Sequence, residues 1–252
     1  MSLDIGFTLE NGLKRVVTKY GLAIAGVYAL AGIVYQFLFN SLMVQVFSGE
    51  LGAAFRESYP TFDAPVSLLV AGNLLALLLF SYLGIVTIRI VVSGKGTTIP
   101  EGTFSRRIGW VLANTLVGGI VYSIIVGIAS IFLLVPGIIA YVAFLLMPVL
   151  IAVEDQSFVA ALKKSWKLTR GNWLRIFVVL LIAIVALSII SGVLSFVVAL
   201  VAEAAGYPTV GAVVGSIFAT PLSLVVLGFL GAIYDQLSSA QATQTAGAHA
   251  QA

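Results

Sequence analysis

Long, almost uncharged apolar runs constrain this chain more than any motif does. A helix needs about 20 mostly apolar residues to cross a hydrocarbon layer about 30 Å thick. Six stretches reach or approach that length, at 21–47, 66–92, 108–135, 138–153, 174–201 and 210–234. In hydrocarbon each backbone N–H and C=O needs a partner within the protein, so such segments fold as helices. The expected fold class is therefore all-α: a polytopic integral membrane protein with one six-helix transmembrane domain over 1–234. Residues 235–252 are small and polar without apolar periodicity, and are expected to form a disordered cytoplasmic tail. Composition agrees, since 60% of the 252 residues are hydrophobic and 9% are charged, against roughly 25% charged in a soluble domain. These figures exclude a soluble enzyme and a disordered polymer, and the lack of cysteine excludes a disulfide scaffold.

Pro136-Gly137 divides what would otherwise be one very long apolar run. Proline lacks an amide donor and starts a helix well, while glycine permits a tight turn, so a helical hairpin is expected there. Pro148 and Pro221 are expected to bend the fourth and sixth helices. The first run follows about 20 ordinary residues with no small-residue cleavage site after it, so it reads as a retained span rather than a signal peptide.

The cations set an orientation. Lys14, Arg15 and Lys19 precede the first span, Arg89, Lys95, Arg106 and Arg107 lie between the second and third, and Lys163, Lys164, Lys167, Arg170 and Arg175 lie between the fourth and fifth. On a six-span path all of these fall on one side. Arg56 stays on the other, beside Glu50, Glu57, Asp63 and Glu203. Cytoplasmic loops are enriched in Lys and Arg, so the expectation is a multi-pass protein of the cell membrane with both termini cytoplasmic. In the longest outer loop, 50–57 can form a short helix with Leu51, Ala54 and Phe55 on one side.

The segment 155–172 carries the most information. Projected at 100° per residue, Phe158, Ala161, Leu162, Ser165, Trp166 and Thr169 share one side, and Lys163, Lys164, Lys167 and Arg170 the other. Asp155 or Ser157 can cap its start, Glu154 and Asp155 suit the positive end of the helix dipole, and Gly171-Asn172 can end it. Trp166 and Trp173 have the amphipathic ring that favours the headgroup level. An in-plane amphipathic helix on the cytoplasmic surface is expected, leading into the fifth span. It reads either as a topogenic segment or as a docking face for anionic headgroups or an acidic partner, with Lys163, Lys164, Trp166, Lys167, Arg170 and Trp173 as the contact residues.

Within 134–173, Pro136 and Gly137 open a short span, Pro148 lies inside it, and Ala161, Leu162, Ser165, Trp166, Leu168, Thr169 and Gly171 follow. This arrangement resembles the glycerophosphoryl diester phosphodiesterase membrane-domain type of prokaryotic multi-span proteins. The resemblance implies a membrane module with a lipid-related or accessory role. The phosphodiesterase chemistry of such fusions resides in a separate soluble domain, so the resemblance brings no activity to these residues.

Chemistry within the chain is sparse. His249 is the only histidine and cysteine is absent, so a His/Cys metal site or a histidine-based triad cannot be assembled, and no metal or cofactor is expected. The SGKGTT run at 93–98 has Arg89 where a phosphate loop needs glycine. Arg89 is expected to snorkel from the end of its helix to the interface. Gln36, Asn40, Asn73 and Asn114 are expected to hydrogen-bond between helices. Small residues at Gly118, Gly119, Gly211 and Gly215 serve helix packing or association with a second copy. The expected function is non-enzymatic: a scaffold, assembly or lipid-contacting accessory subunit. Its partners would be membrane lipids with anionic headgroups on the cytoplasmic face, and a protein partner or a second copy, with no nucleic acid. The alternative is a passive or facilitated transporter or channel for a small or lipophilic solute, which a polar cavity lined by Asn73, Asn114, Ser188 and Thr220 would favour.

Overall fold

A computed structural model describes residues 3–47, 49–132, 134–207, 214 and 224–243. Among these residues the regular structure is helical, without strands. The helices are α1 (Ile5–Val16), α2 (Lys19–Val46), α3 (Glu50–Ser58), α4 (Val66–Ile88, followed by one π turn, Arg89–Ser93), α5 (Ile108–Phe132), α6 (Leu134–Phe144), α7 (Met147–Glu154), α8 (Phe158–Thr169), α9 (Trp173–Ala204) and α10 (224–243). Five candidate spans are long and apolar enough to cross a membrane: Lys19–Val46, Val66–Ser93, Ile108–Ile131, Val135–Glu154 and Trp173–Ala204. The sixth expected span, 210–234, falls among described residues only at 214 and 224–234, and Pro221 lies outside them.

Two compact units emerge. One comprises Met1–Leu22, Gly84–Ile184 and Val225–Ala252; the other comprises Ala23–Leu83 and Val185–Leu224. Every Lys and Arg except Arg56 belongs to the first.

In the first unit, Asp4 caps α1 by accepting from the Phe7 N–H at 2.9 Å. Thr8, Gly12, Arg15 and Val16 then form one buried stripe at helical spacing. The stripe meets α10 at two glycines. A Cβ on Gly12 would fall inside the Phe229 ring, and one on Gly228 would collide with the Gly12 carbonyl, so only hydrogen allows this crossing. Gln236 accepts from the Asp4 N–H at 3.0 Å and donates to Thr8 Oγ1 at 2.7 Å. Leu237 is buried as well. These contacts accompany a helix that runs past position 235, where composition alone placed the start of a disordered tail, and that is described to 243.

The α5–α6 hairpin forms, with the Tyr122 and Tyr141 rings 6.1 Å apart and Gly137 lying against Ser130. Pro136 sits in the first turn of α6, where its missing N–H has no intrahelical partner to lose. Gly137 serves close approach instead of a turn, since a Cβ there would overlap the Ser130 side chain of α5. The next break, at Leu145-Leu146, precedes Pro148 in the first turn of α7. Pro148 has no N–H to give the Phe144 carbonyl, so the helix restarts one turn later.

In the second unit α3 spans Glu50–Ser58, close to the short helix expected at 50–57. The C-terminal part of α2 fastens the chain that returns to α4: Asn40 Nδ2 donates to the Pro60 carbonyl at 3.4 Å, Ser41 Oγ accepts from the Phe62 N–H at 2.9 Å, and Gln45 Nε2 donates to the Ala64 carbonyl at 2.7 Å. Asn73 of α4 reaches across to the Leu38 carbonyl of α2 at 3.1 Å. Phe80 contacts Tyr28 and Tyr35, with ring centroids 5.8 and 5.6 Å away.

Candidate functional site

The groups best placed for recognition gather where α7 ends and α8 begins. Asp155 terminates α7 in the left-handed region, with φ 52°, a conformation that aspartate and asparagine tolerate better than most residues. This aims its carboxylate back at the π turn rather than forward at α8. Ser157 therefore caps α8, accepting from the Ala160 N–H at 3.4 Å, and Asn114 of α5 accepts from the Phe158 N–H at 2.9 Å.

Arg89 does not snorkel. It is 2% exposed, and its guanidinium is enclosed by acceptors from the 102–106 turn and the end of α7. Nε donates to the Ala152 carbonyl at 2.8 Å, Nη1 to the Thr103 carbonyl at 3.0 Å, and Nη2 to the Arg106 carbonyl at 2.8 Å and to Asp155 Oδ1 at 3.2 Å. The second oxygen of Asp155 pairs with Arg106 Nε at 3.0 Å. A buried arginine is tolerated only when its donors are satisfied and its charge is matched. Here the fork joins the π turn, the 102–106 turn and the end of α7 into one body. Nothing in the local sequence around Arg89 announces those acceptors.

Glu154 organises a second cluster. It accepts from Lys164 Nζ at 2.7 and 2.6 Å, from the Tyr234 hydroxyl at 2.7 Å and from Gln156 Nε2 at 2.7 Å. Lys164 is thus the member of the expected basic stripe that turns inward. Tyr234 and Gln156 were not singled out by sequence reasoning.

Helix α8 repairs the break in the α6–α7 helix. Ser165 Oγ accepts from the Leu146 N–H at 3.2 Å and donates to the Ala143 carbonyl at 2.8 Å, and Thr169 Oγ1 donates to the same carbonyl at 3.1 Å. Ser165 and Thr169 have no solvent exposure. The face holding Ala161, Ser165, Leu168 and Thr169 is therefore buried against the protein. Two of these residues were expected on the apolar face of an in-plane helix; they act instead as hydrogen-bonding groups for a backbone break. Trp166 stands at the edge of this face, 37% exposed, with its ring 5.6 Å from Phe144 and 5.0 Å from Trp173. Trp173 donates from Nε1 to Thr169 Oγ1 at 3.2 Å.

Lys163, Lys167 and Arg170 remain. All three are exposed, and their side chains form no ion pair or hydrogen bond with the described residues. With Trp166 and the half-buried Trp173 they make a basic face with an aromatic edge. The carboxylates nearby among the described residues, Glu154 and Asp155, already serve ion pairs. Among the described residues no group of three or more His, Cys, Asp or Glu could hold a metal ion. Of the four residues expected to line a polar cavity, three are among the described residues. Asn73 bonds to backbone carbonyls, Asn114 holds the start of α8, Ser188 is exposed, and Thr220 lies outside the described residues.

One family model, described as a domain of unknown function (DUF7847), matches residues 3–237. No curated protein and no solved structure matches the chain.

Proposed function

The chain belongs to the DUF7847 family, and from that premise we propose that it is a non-enzymatic membrane module, a scaffold or accessory subunit that holds anionic lipid headgroups on its cytoplasmic face. In this reading six helices cross the cell membrane, both termini are cytoplasmic, and α8 lies along the membrane surface. The gathering of every Lys and Arg except Arg56 in one compact unit supports a single cytoplasmic side. The likeness of residues 134–173 to lipid-associated membrane domains points the same way.

The observation that carries the proposal is the division of labour on α8. Its inner face is fixed to the α6–α7 break through Ser165 and Thr169, so Lys163, Lys167 and Arg170 are presented on a rigid support without protein partners among the described residues. Each Lys or Arg near an anionic leaflet contributes about 1 kcal/mol, so three give roughly 3 kcal/mol, a preference of about 100-fold for anionic over neutral headgroups.

Quenching of Trp166 and Trp173 by brominated lipids tests this in reconstituted full-length protein with Trp110→Phe. Brominated phosphatidylglycerol is expected to quench beyond its bulk fraction in mixed vesicles, and brominated phosphatidylcholine to quench below it. The triple change Lys163→Gln, Lys167→Gln, Arg170→Gln should remove the difference. Equal quenching by the two lipids in the unaltered protein would exclude the proposal.

A further inference from the structure

Within the second unit, α2 and α4 enclose an open groove of about 870 Å³. Its size lies in the upper part of the range, roughly 300–1,000 Å³, that accommodates a ligand of drug or lipid-fragment size. Tyr35, Phe39 and Phe80 provide much of its apolar wall. Gln36, Asn40 and Asn73 provide its carboxamides, the side chains of Tyr28 and Tyr35 lie beside them, and none of the lining residues is charged.

The carboxamides of this lining share one sense. Asn73 Nδ2 donates to the Leu38 carbonyl at 3.1 Å and the Leu69 carbonyl at 2.8 Å, which fixes the sense of its carboxamide. Asn40 Nδ2 likewise donates to the Pro60 carbonyl. Both amide groups have committed donors, and their oxygens receive none from the described residues. Gln36 sharpens the pattern, because its Oε1 is buried and meets no hydrogen-bond donor. A buried, unmatched amide oxygen costs free energy unless something supplies a donor. Asn73 and Asn40 show that nearby backbone carbonyls engage the carboxamide N–H groups, while the oxygens of all three carboxamides receive no donor from the described residues.

We propose that the groove binds a neutral membrane alcohol, a molecule whose apolar chain or ring body lies along Tyr35, Phe39 and Phe80 and whose hydroxyl donates to Gln36 Oε1. A hydroxyl supplies the donor that the three carboxamides lack. A phosphate or carboxylate head is disfavoured, since it would bring further acceptors and a charge to a groove with no cation in its lining. An ammonium head would enter without a carboxylate to match it. This site is separate in residues from the basic face of α8, and its occupant differs in charge from the lipids proposed there.

Photolabelling of the full-length protein in nanodiscs tests the assignment. The probe is a diazirine-bearing hexadecanol, used beside the methyl ether of the same chain. The alcohol is expected to label peptides covering 28–42 and 70–80 about 3- to 10-fold more strongly than the ether, the factor that one net hydrogen bond provides. Unlabelled hexadecanol should compete, and its methyl ether should compete less. Gln36→Leu, an apolar change expected to fold in a membrane helix, should bring alcohol and ether to equal labelling. A second variant, Leu74→Trp, should fill the groove and abolish labelling by both while leaving the helical circular dichroism unchanged. Equal labelling by both probes in the unaltered protein, labelling spread over all apolar helices, or preserved discrimination in Gln36→Leu would each overturn the proposal. So would a crosslink from a photoreactive residue at position 36 to a second copy of the chain or to another of its own segments in place of the lipid.

Discussion

Replacing Arg89 by methionine removes the donors of a buried guanidinium while keeping much of its length. At least two fully buried carbonyls, those of Ala152 and Thr103, lose their donors at 2.8 and 3.0 Å. The Arg106 carbonyl, in a less buried place, loses its own. Each orphaned buried group costs about 1–3 kcal/mol, and breaking a buried charged pair typically costs about 3–5 kcal/mol in total. The expected loss for Arg89→Met is therefore about 3–5 kcal/mol. At roughly 2–4 °C per kcal/mol for a chain of this size, the melting temperature should fall by about 6–20 °C. Asp155→Asn separates charge from geometry. Asparagine tolerates the left-handed backbone at φ 52° and keeps an acceptor for Arg89, whose three carbonyl partners stay in place. Arg106, 44% exposed at its side chain, is compensated by water. The expected cost is smaller, about 1–2 kcal/mol. Arg89→Lys retains the charge without the planar fork and should fall between the two. Tryptophan-fluorescence melting in detergent, with size-exclusion recovery of the monodisperse protein after heating, measures all three. A melting temperature for Arg89→Met within about 2 °C of the unaltered protein would refute the reasoning. So would a larger loss for Asp155→Asn than for Arg89→Met.

Three further outcomes follow from the packing. Ser165→Ala removes only the hydroxyl and orphans the Leu146 N–H, and should cost about 1–3 kcal/mol, read as a lowered melting temperature; Thr169→Val should be milder because Ser165 still serves the Ala143 carbonyl. Gly12→Ala forces a methyl into the Phe229 ring and should destabilise the α1–α10 crossing by about 1–3 kcal/mol, seen as faster amide hydrogen exchange in 5–16 and 224–243 with the other helices unchanged. Asp235→Ala leaves Arg15, 7% exposed, with the Val91 carbonyl at 3.3 Å as its remaining partner among the described residues; exchange in α1 should rise here too, and the double variant with Arg15→Met should recover part of the loss.

Hydropathy and periodicity alone established that this chain is helical, where its five described spans run, and that its cations cluster. Both signals are local: about 20 apolar residues in a row make a helix in lipid whatever lies beside them. The sequence likewise marked a break near Pro148, because a missing N–H is a property of one residue. It also placed Lys163, Lys167 and Arg170 on one face of α8, because that spacing is intrinsic to the helix.

Only the tertiary structure decided what closes the break. Ser165 and Thr169 lie about 20 residues along the chain from the backbone groups they satisfy, and no periodicity connects them. Arg89 shows the same limit more sharply. A charge near a helix end can reach outward to the interface or inward to carbonyls, and the choice depends on whether the 102–106 turn and the end of α7 come close enough to enclose it. Lys164 and Lys167 are chemically equivalent in the sequence, yet Glu154 takes one and leaves the other exposed. Composition placed a structureless tail from 235, whereas the described residues are helical to 243, since a polar helix becomes stable once Gln236 and Leu237 have a surface to meet. The sequence thus determined which segments are helices, through apolar content that acts locally. The tertiary structure decided which polar groups are consumed in holding those helices and which remain for recognition, because that depends on neighbours far apart in the chain.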